Sequence, residues 1–281
     1  MHPAIVDIPP KAEESIESLA AYVRRSESDP FLQIKALHDW VAHNIYYDYP
    51  ALESGIRDQS AERVFRERRG VCAGYSRLMI ALGQQLGFDV RYVRGKSRSP
   101  DGGLATGGHA WNAVFIEGNW YLVDVTWDCR RGIGKADNTK PSRSSYLFTP
   151  PEYFGMDHYP NDPDWQLLDS PVSRAVFTRR PQLRPSFFAD GLELITPNRA
   201  HVSPGRTFSV RMRNPKRREV LVGFRRGDGP LTRCGTSGEA LVDLSCEIPS
   251  SGQYKVSILA RPQAVPGSYQ GRGSFLAEVT D

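Results

Sequence analysis

The sequence predicts an α+β domain in the first half of the chain and an all-β domain in the second. Apolar residues recur at helical spacing as far as Leu86 and at strand spacing after Gly87. From Leu192 onward the chain reads as short alternating runs separated by glycine, proline and serine. The length of 281 residues suits two domains, each able to bury a core.

Taken in order, Ile16, Leu19, Ala20 and Val23 mark a first helix that breaks at Ser26 to Pro30. Asp29 before Pro30 supplies an N-cap with proline at the first helical position, and Ile34, Leu37, Val41 and Ile45 line the next helix. A short helix is expected over Ser60 to Arg68. A strongly apolar one follows from Val71 to about Leu86, with Gly87 as its C-terminal cap. After it, Val90 to Val93, His109 to Ile116 and Trp120 to Val125 read as strands, the last two joined by Glu117-Gly118-Asn119 as a hairpin. Helices first and an antiparallel sheet afterwards give the α+β class. Residues 130 to 185 read as irregular and proline-bearing, an extension wrapping the first domain and leading into a linker. The runs Phe208/Val210/Met212, Val220 to Phe224, Val242/Leu244/Cys246, Tyr254/Val256/Ile258 and Phe275 to Val279 fit an immunoglobulin-like sandwich, with Tyr254 placed for a tyrosine corner.

Composition narrows the function classes. The mean hydropathy of -0.46 and the lack of a long apolar run exclude a membrane-spanning helix. Aromatic residues at 10% argue against disorder, and four cysteines are too few for a disulfide scaffold. Basic and aromatic residues do not interleave as a nucleic-acid platform would require. The net charge of +4 is uneven: from Pro181 onward there are 14 Lys/Arg against 9 Asp/Glu. Arg211, Arg213, Lys216, Arg217 and Arg218 concentrate that excess, as a solvated loop or as a surface for an acidic protein partner. The first residues lack the basic and apolar regions of a signal peptide, so cytoplasmic residence is expected. On that basis Cys234 and Cys246, which could pair in an oxidising compartment, are expected to be reduced.

The sharpest local feature is Gly70-Val71-Cys72-Ala73-Gly74-Tyr75. It sets Cys72 in the first turn of the most apolar helix, where free N–H groups and the helix dipole favour an anion, the attacking form of a thiol. The small residues Ala73 and Gly74 would let a substrate carbonyl approach, and Arg66, Arg68 and Arg69 would raise the local potential or simply coat a helix. His109 opens a strand, and Asp124 sits among Val123, Val125 and Trp127, where a carboxylate needs a partner. If Ile116 pairs with Asn119, Trp111 faces Asp124 and His109 is one diagonal step away on the same face; a shift of two puts His109 opposite Asp124. Either register brings them together. Cys72 then acts as nucleophile, His109 as proton carrier and Asp124 as its orienter, through a thioester formed from an amide or ester. The backbone N–H of Cys72 is a natural oxyanion donor, with Gln59, Tyr47 and Trp40 as candidates for a second. Trp111, Tyr75 and Trp127 are candidate cleft walls, while Asp128 reads as a turn residue and Cys129 as a passive buried thiol. Metal-ligand spacing around Cys72, His109 and Cys129 is poor, so neither metal nor cofactor is expected.

The Gly70–Tyr75 block, His109-Ala110-Trp111-Asn112-Ala113-Val114 and Trp120 to Asp128 resemble, in order, the transglutaminase-like superfamily of papain-type thiol enzymes. The resemblance covers roughly residues 30 to 130, and Ile45-Tyr46-Tyr47-Asp48 is similar to the segment those domains carry before the nucleophile. The branch it is most similar to is that of kyphoscoliosis peptidase and cytokinesis proteins, whose post-core extension is matched by Tyr146-Leu147-Phe148 and His158 to Leu168. It implies a papain/transglutaminase-like core at 1–130, an extension and linker at 131–185, the sandwich at 186–281, and a Cys72–His109–Asp124 triad. The expected function is a cysteine-dependent hydrolase of peptide or side-chain amides, acting on a protein or peptide. The alternatives are a protein-glutamine acyltransferase or deamidase, and a scaffold with a vestigial triad, since the superfamily includes members that have lost activity.

Overall fold

The computed structural model describes residues 1–55, 58–99, 102–129, 143–263 and 267–280. The chain groups into two compact units: Met1–Lys96, Gly107–Pro151 and Pro160–Leu167 form one, and Ser97–Thr106, Glu152–Tyr159 and Leu168–Asp281 the other. The expected irregular extension is thus shared between the units, and its residues 130–142 lie outside the described ones.

In the first unit the elements run α1 (Pro3–Val6), α2 (Ile16–Ser26), α3 (Pro30–Asn44), β1 (Tyr46–Tyr47), α4 (Tyr49–Ser54), α5 (Ala61–Glu67), β2 (Arg69–Gly70), α6 (Cys72–Gln85), β3 (Asp89–Ser97), β4 (His109–Ile116), β5 (Asn119–Val123) and α7 (Val125–Asp128). Asp29 caps α3 by accepting from the Leu32 N–H at 2.9 Å, and Gly87 takes φ 89° after α6, as the sequence predicts. Strands β3, β4 and β5 form an antiparallel meander, and Ile34, Leu37 and Val41 of α3 and Leu78, Met79 and Leu82 of α6 share its buried core with Val90, Val114 and Val123. Two side chains fix α6 on β4: Ser76 Oγ donates to the Trp111 carbonyl at 3.0 Å, and Asn112 Nδ2 donates to the Ser76 carbonyl at 3.1 Å.

The β4–β5 hairpin decides the register question. Glu117 and Gly118 both take positive φ, 48° and 84°, the signature of a two-residue type I′ turn. Ile116 therefore pairs with Asn119, and the pairing continues to Asn112 with Val123. The strand stops there. Asp124, expected inside the strand, instead leaves the sheet, because its Oδ1 accepts from the N–H groups of Thr126 (2.9 Å) and Trp127 (3.3 Å) and caps α7.

The second unit contains two sheets. One has the order Leu241–Glu247, Thr207–Arg213, Glu193–Thr196; the other runs Thr232–Ser237, Glu219–Arg225, Gly252–Arg261, Gln270–Val279, Gln182–Leu183. Val210, Met212 and Val242 from the first meet Val220, Val256, Ile258 and Phe275 from the second in one core, so the unit is a sandwich. Tyr254 donates its hydroxyl to the Ser250 carbonyl at 3.1 Å, the bond expected of a tyrosine corner. The basic run is largely compensated: Arg211 meets Asp243 at 3.0 Å, Arg213 meets Glu193 at 3.4 Å, Arg217 meets Glu239 at 3.4 Å and Arg218 meets Asp190 at 3.0 Å. Lys216 donates to the Ala189 carbonyl.

One expectation is overturned. Cys234 and Cys246, expected as reduced thiols, form a disulfide between the two sheets. Their expected state followed from compartment alone; strand packing brings their Cα atoms to 4.7 Å, well inside bridging range. Iodoacetamide should therefore label Cys72 and Cys129 in the unfolded, non-reduced chain and spare the pair, which four labelled thiols would contradict. Cys234→Ser should cost about 3 kcal/mol in denaturant unfolding, from the released loop closure.

Candidate active site

Cys72 begins α6, and the N-cap residue before it, Val71, has no polar side chain to offer the first turn. The half-buried thiol thus faces the positive end of a 14-residue helix. The loop that delivers it is fixed on two sides. Tyr47 of β1 pairs with Gly70 of β2, and the Asp48 N–H donates to the Gly70 carbonyl at 3.0 Å. The Val71 N–H donates to Oε1 of Gln59 at 2.9 Å.

That last bond reads the nucleophile motif differently from the sequence. A Cβ on Gly74 would come within 2.6 Å of Gln59 Oε1 and 2.7 Å of Val64 Cγ2. Gly74 is buried against Gln59, so its smallness seats this amide rather than opening a path for substrate. With Oε1 held, Gln59 Nε2 is a buried donor without a partner among the described residues. Buried polar groups are rarely left so, and their exceptions mark places where something else binds.

His109 and Asp124 meet, with Asp124 reaching the ring from the turn after β5 rather than from within the ladder. His109 Nε2 lies 2.6 Å from Asp124 Oδ2, and the carboxylate can only accept, so Nε2 carries the proton. Asp124 is 1% exposed and has its backbone N–H on the Tyr146 carbonyl at 2.9 Å. Burial works against a charged imidazole, but the Asp124 charge and hydrogen bond, with a further contribution from Cys72, push His109 up to about 10. The imidazolium is therefore its form at neutral pH.

The other candidates separate. Burial above all, then Cys72, Tyr49 and Asp124, pushes the Tyr47 phenol well above its ordinary value, so it stays protonated and able to donate. Trp40 does not belong to the site: its Nε1 donates to Glu13 Oε1 at 2.7 Å, and its buried ring stacks on Phe65. Tyr75 is fully buried with its hydroxyl on the Ile45 carbonyl at 2.7 Å, a core pillar rather than a cleft wall. Trp111 is buried too, with its ring 5.8 Å from His109. Trp127 is half-buried, with its ring 5.5 Å from that of His109. Arg68 stacks over Trp40, while Arg66 and Arg69 pair with Glu67, so these cations are engaged elsewhere. Cys129 is half-buried against the core.

A second polar cluster escaped the sequence reading. His38 of α3 is fully buried, with Nδ1 3.0 Å from Asp39 Oδ1 and Nε2 3.2 Å from Asp128 Oδ2. Both oxygens are acceptors, so the ring is an imidazolium: burial opposes the charge and the two carboxylates outweigh it. Asp39 also accepts from Lys35 Nζ and the His2 N–H, and despite burial the bonds and charges of His38 and Lys35 hold it down to about 2. Asp128, expected as a turn residue, accepts from the Ser145 and Tyr146 N–H groups at 2.9 and 2.8 Å. The four-residue α7 is thus held by Asp124 at one end and by Asp128 at the other. A polar pair inside Ala36-Leu37-His38-Asp39-Trp40 was the available signal.

Residues 17–125 match the family model of the Transglutaminase-like superfamily. The chain carries a transglutaminase-like domain. Kyphoscoliosis peptidase of Mus musculus is 28% identical over 247 residues, covering 82% of this chain and 36% of that protein. Cytokinesis protein 3 of Schizosaccharomyces pombe is 23% identical over 192 residues, covering 66% of this chain and 22% of that protein. The chain therefore spans about a third or less of these relatives. A solved structure from Cytophaga hutchinsonii, named as a cysteine protease, shares 25% identity at a TM-score of 0.34, covering 45% of this chain and 43% of that one. No helix among the described residues is long and apolar enough to cross a membrane.

The transglutaminase-like domain should reveal its imidazoles by ring-proton NMR. His109 should titrate at about 10 rather than 6.5, and Asp124→Asn should lower that midpoint. Because the folded value is the higher one, the pair's stabilisation is whole below pH 6.5 and is lost as pH climbs to about 10. The stability gap between wild type and Asp124→Asn should shrink across that window; a wild-type midpoint near 6.5 would contradict it. For the second cluster, His38→Ala should destabilise by roughly 3–5 kcal/mol, since it leaves buried carboxylates without their cation. The Asp39 contribution has the opposite sign: it is present above its ordinary 3.8 and is lost as pH falls to about 2.

Proposed function

We propose that the transglutaminase-like domain is a thiol-dependent amidase that acts on peptide or side-chain amides of proteins through a thioester on Cys72. The observation that carries this reading is the 2.6 Å bond from His109 Nε2 to Asp124, because it commits one ring nitrogen and reserves Nδ1 for exchange with the thiol. Cys72 is among the groups that raise His109, as expected of an imidazolium beside its nucleophile.

The chemistry follows. The Cys72 proton already resides on Nδ1 in the imidazolium, and the sulfur attacks the amide carbonyl carbon, forming the S–C bond as the C=O π pair moves to oxygen. The negative oxygen is received by the Cys72 N–H and by Gln59 Nε2, with the Tyr47 phenol as a further donor. The C–N bond breaks as Nδ1 returns its proton to the departing nitrogen. Water then attacks the thioester, giving up a proton to His109, and the acid leaves as the thiol re-forms. Asp124 keeps the ring oriented and stabilises its charge throughout.

A second reading is acyl transfer, in which a primary amine replaces water. It is favoured by Trp127 beside His109, an aromatic wall able to limit water at the thioester. Incubating wild type and Cys72→Ala with a cell lysate and a labelled primary amine separates the readings by mass spectrometry. New protein termini or deamidated glutamines support hydrolysis, and labelled glutamines support transfer. Identical lysates would sink both. Iodoacetamide should label Cys72 ahead of Cys129, and His109→Ala should abolish that lead. Gln59→Ala should cut the turnover rate by about 10²–10³, the usual effect of losing one oxyanion donor.

A further inference from the structure

Three side chains near the thiol are not used by that chemistry. Tyr92 of β3 is half-buried, and its ring is flanked by two guanidinium groups, Arg94 with its Cζ 5.5 Å and Arg77 with its Cζ 5.9 Å from the ring centroid. Arg77 lies five positions after Cys72 on α6 and donates from Nη1 to the Gln59 backbone carbonyl at 3.3 Å. The side chain of that same Gln59 holds the Val71 N–H, so a chain of two hydrogen bonds connects Arg77 to the nucleophile's turn. Burial pushes the Tyr92 phenol up, with Cys72 as the next cause, so the ring stays neutral beside the two guanidinium groups.

The charge balance here differs from that of the neighbouring loop. Arg63, Arg66 and Arg69 each have Glu67 within 4 Å, and Arg63 and Arg69 also approach Asp48. Arg77 and Arg94 are both exposed, and neither has a carboxylate within ion-pair distance among the described residues. Two like charges on one tyrosine ring repel each other, and an anion bound by either or both would relieve that repulsion. Guanidinium groups suit a carboxylate, which they grip with paired N–H donors. A helix rises about 1.5 Å per residue, so Arg77 lies roughly 7.5 Å along α6 from Cys72. An extended peptide spans that in about two residues.

We propose that Arg77 and Arg94, backed by Tyr92, form a docking site for an acidic side chain of the protein substrate, about two residues from the amide presented to Cys72. The site rests on the reading of the domain as a thiol amidase and adds a substrate class to it: segments in which glutamate or aspartate flanks the reacting residue. Its strength is modest, because both cations are open to water and each exposed ion pair contributes at most about 1 kcal/mol.

The test uses two fluorescein-labelled, end-blocked peptides, each with a central glutamine. One carries glutamate two positions to either side, and the other carries glutamine there. Binding is read by fluorescence anisotropy on the full chain bearing Cys72→Ala, so that no turnover intervenes. At low ionic strength the acidic peptide should bind about tenfold more tightly, a preference that added salt weakens. Adding Arg77→Gln and Arg94→Gln together should erase it. Arg94→Glu, which leaves the Arg77 to Gln59 bond in place but sets an anion beside the remaining cation, should also erase it; thermal melts report whether each variant folds. Equal binding of the two peptides, or a preference that survives the double substitution in a folded protein, overturns the proposal. Turnover of the same peptides by wild type is measured in parallel. Acid-selective binding without turnover supports the docking site and counts against the amidase reading, whereas turnover without acid selectivity does the reverse.

Discussion

The site depends on how one carboxylate divides its two oxygens. Oδ1 of Asp124 takes the first N–H groups of α7, and Oδ2 takes His109. The first duty fixes the second. A carboxylate that served the imidazole alone would need its own immobilisation, which in a buried position costs both desolvation and side-chain freedom. Here the backbone turn that ends β5 supplies it. The same turn places Trp127 beside His109, so the carboxylate and the indole both reach the imidazole through a single change of chain direction.

The His38 cluster extends this logic away from the chemistry. A four-residue helix has almost no stability of its own, since nucleation is the unfavourable step. Asp128 ties its far end to α3, and Tyr146 is bonded through its carbonyl to Asp124 and through its N–H to Asp128. The short helix is thereby held by charges within the core. An imidazolium with a carboxylate on each ring nitrogen is a costly device, because desolvation of three charges offsets much of their attraction.

Much of this was legible in the residues and some was not. Glu117-Gly118 fixed the hairpin register, from which the pairing of His109 with Asp124 was expected, although Asp124 makes it from the turn beyond the strand. Cys72 was marked by a small-residue turn before an apolar helix. What escaped had no pattern of its own. The exit of Asp124 from the strand is decided by which backbone N–H groups it captures, and strand periodicity does not report that. Trp40, Tyr47 and Gln59 were equivalent as donors until Glu13 occupied the indole of Trp40 and Val71 fixed the amide of Gln59. Arg77 and Arg94 sit alone among their sequence neighbours, and only the fold gathers them on Tyr92. The cysteine pair was judged by compartment, while its state is set by how two sheets approach.

Gly74 carries a consequence for how such domains decay. Position 74 is not a reacting residue, yet any Cβ there collides with the amide of Gln59 and the methyl of Val64. A descendant could keep its cysteine, histidine and aspartate and still lose its second donor through one methyl group. A census of triads alone would count that protein among the living.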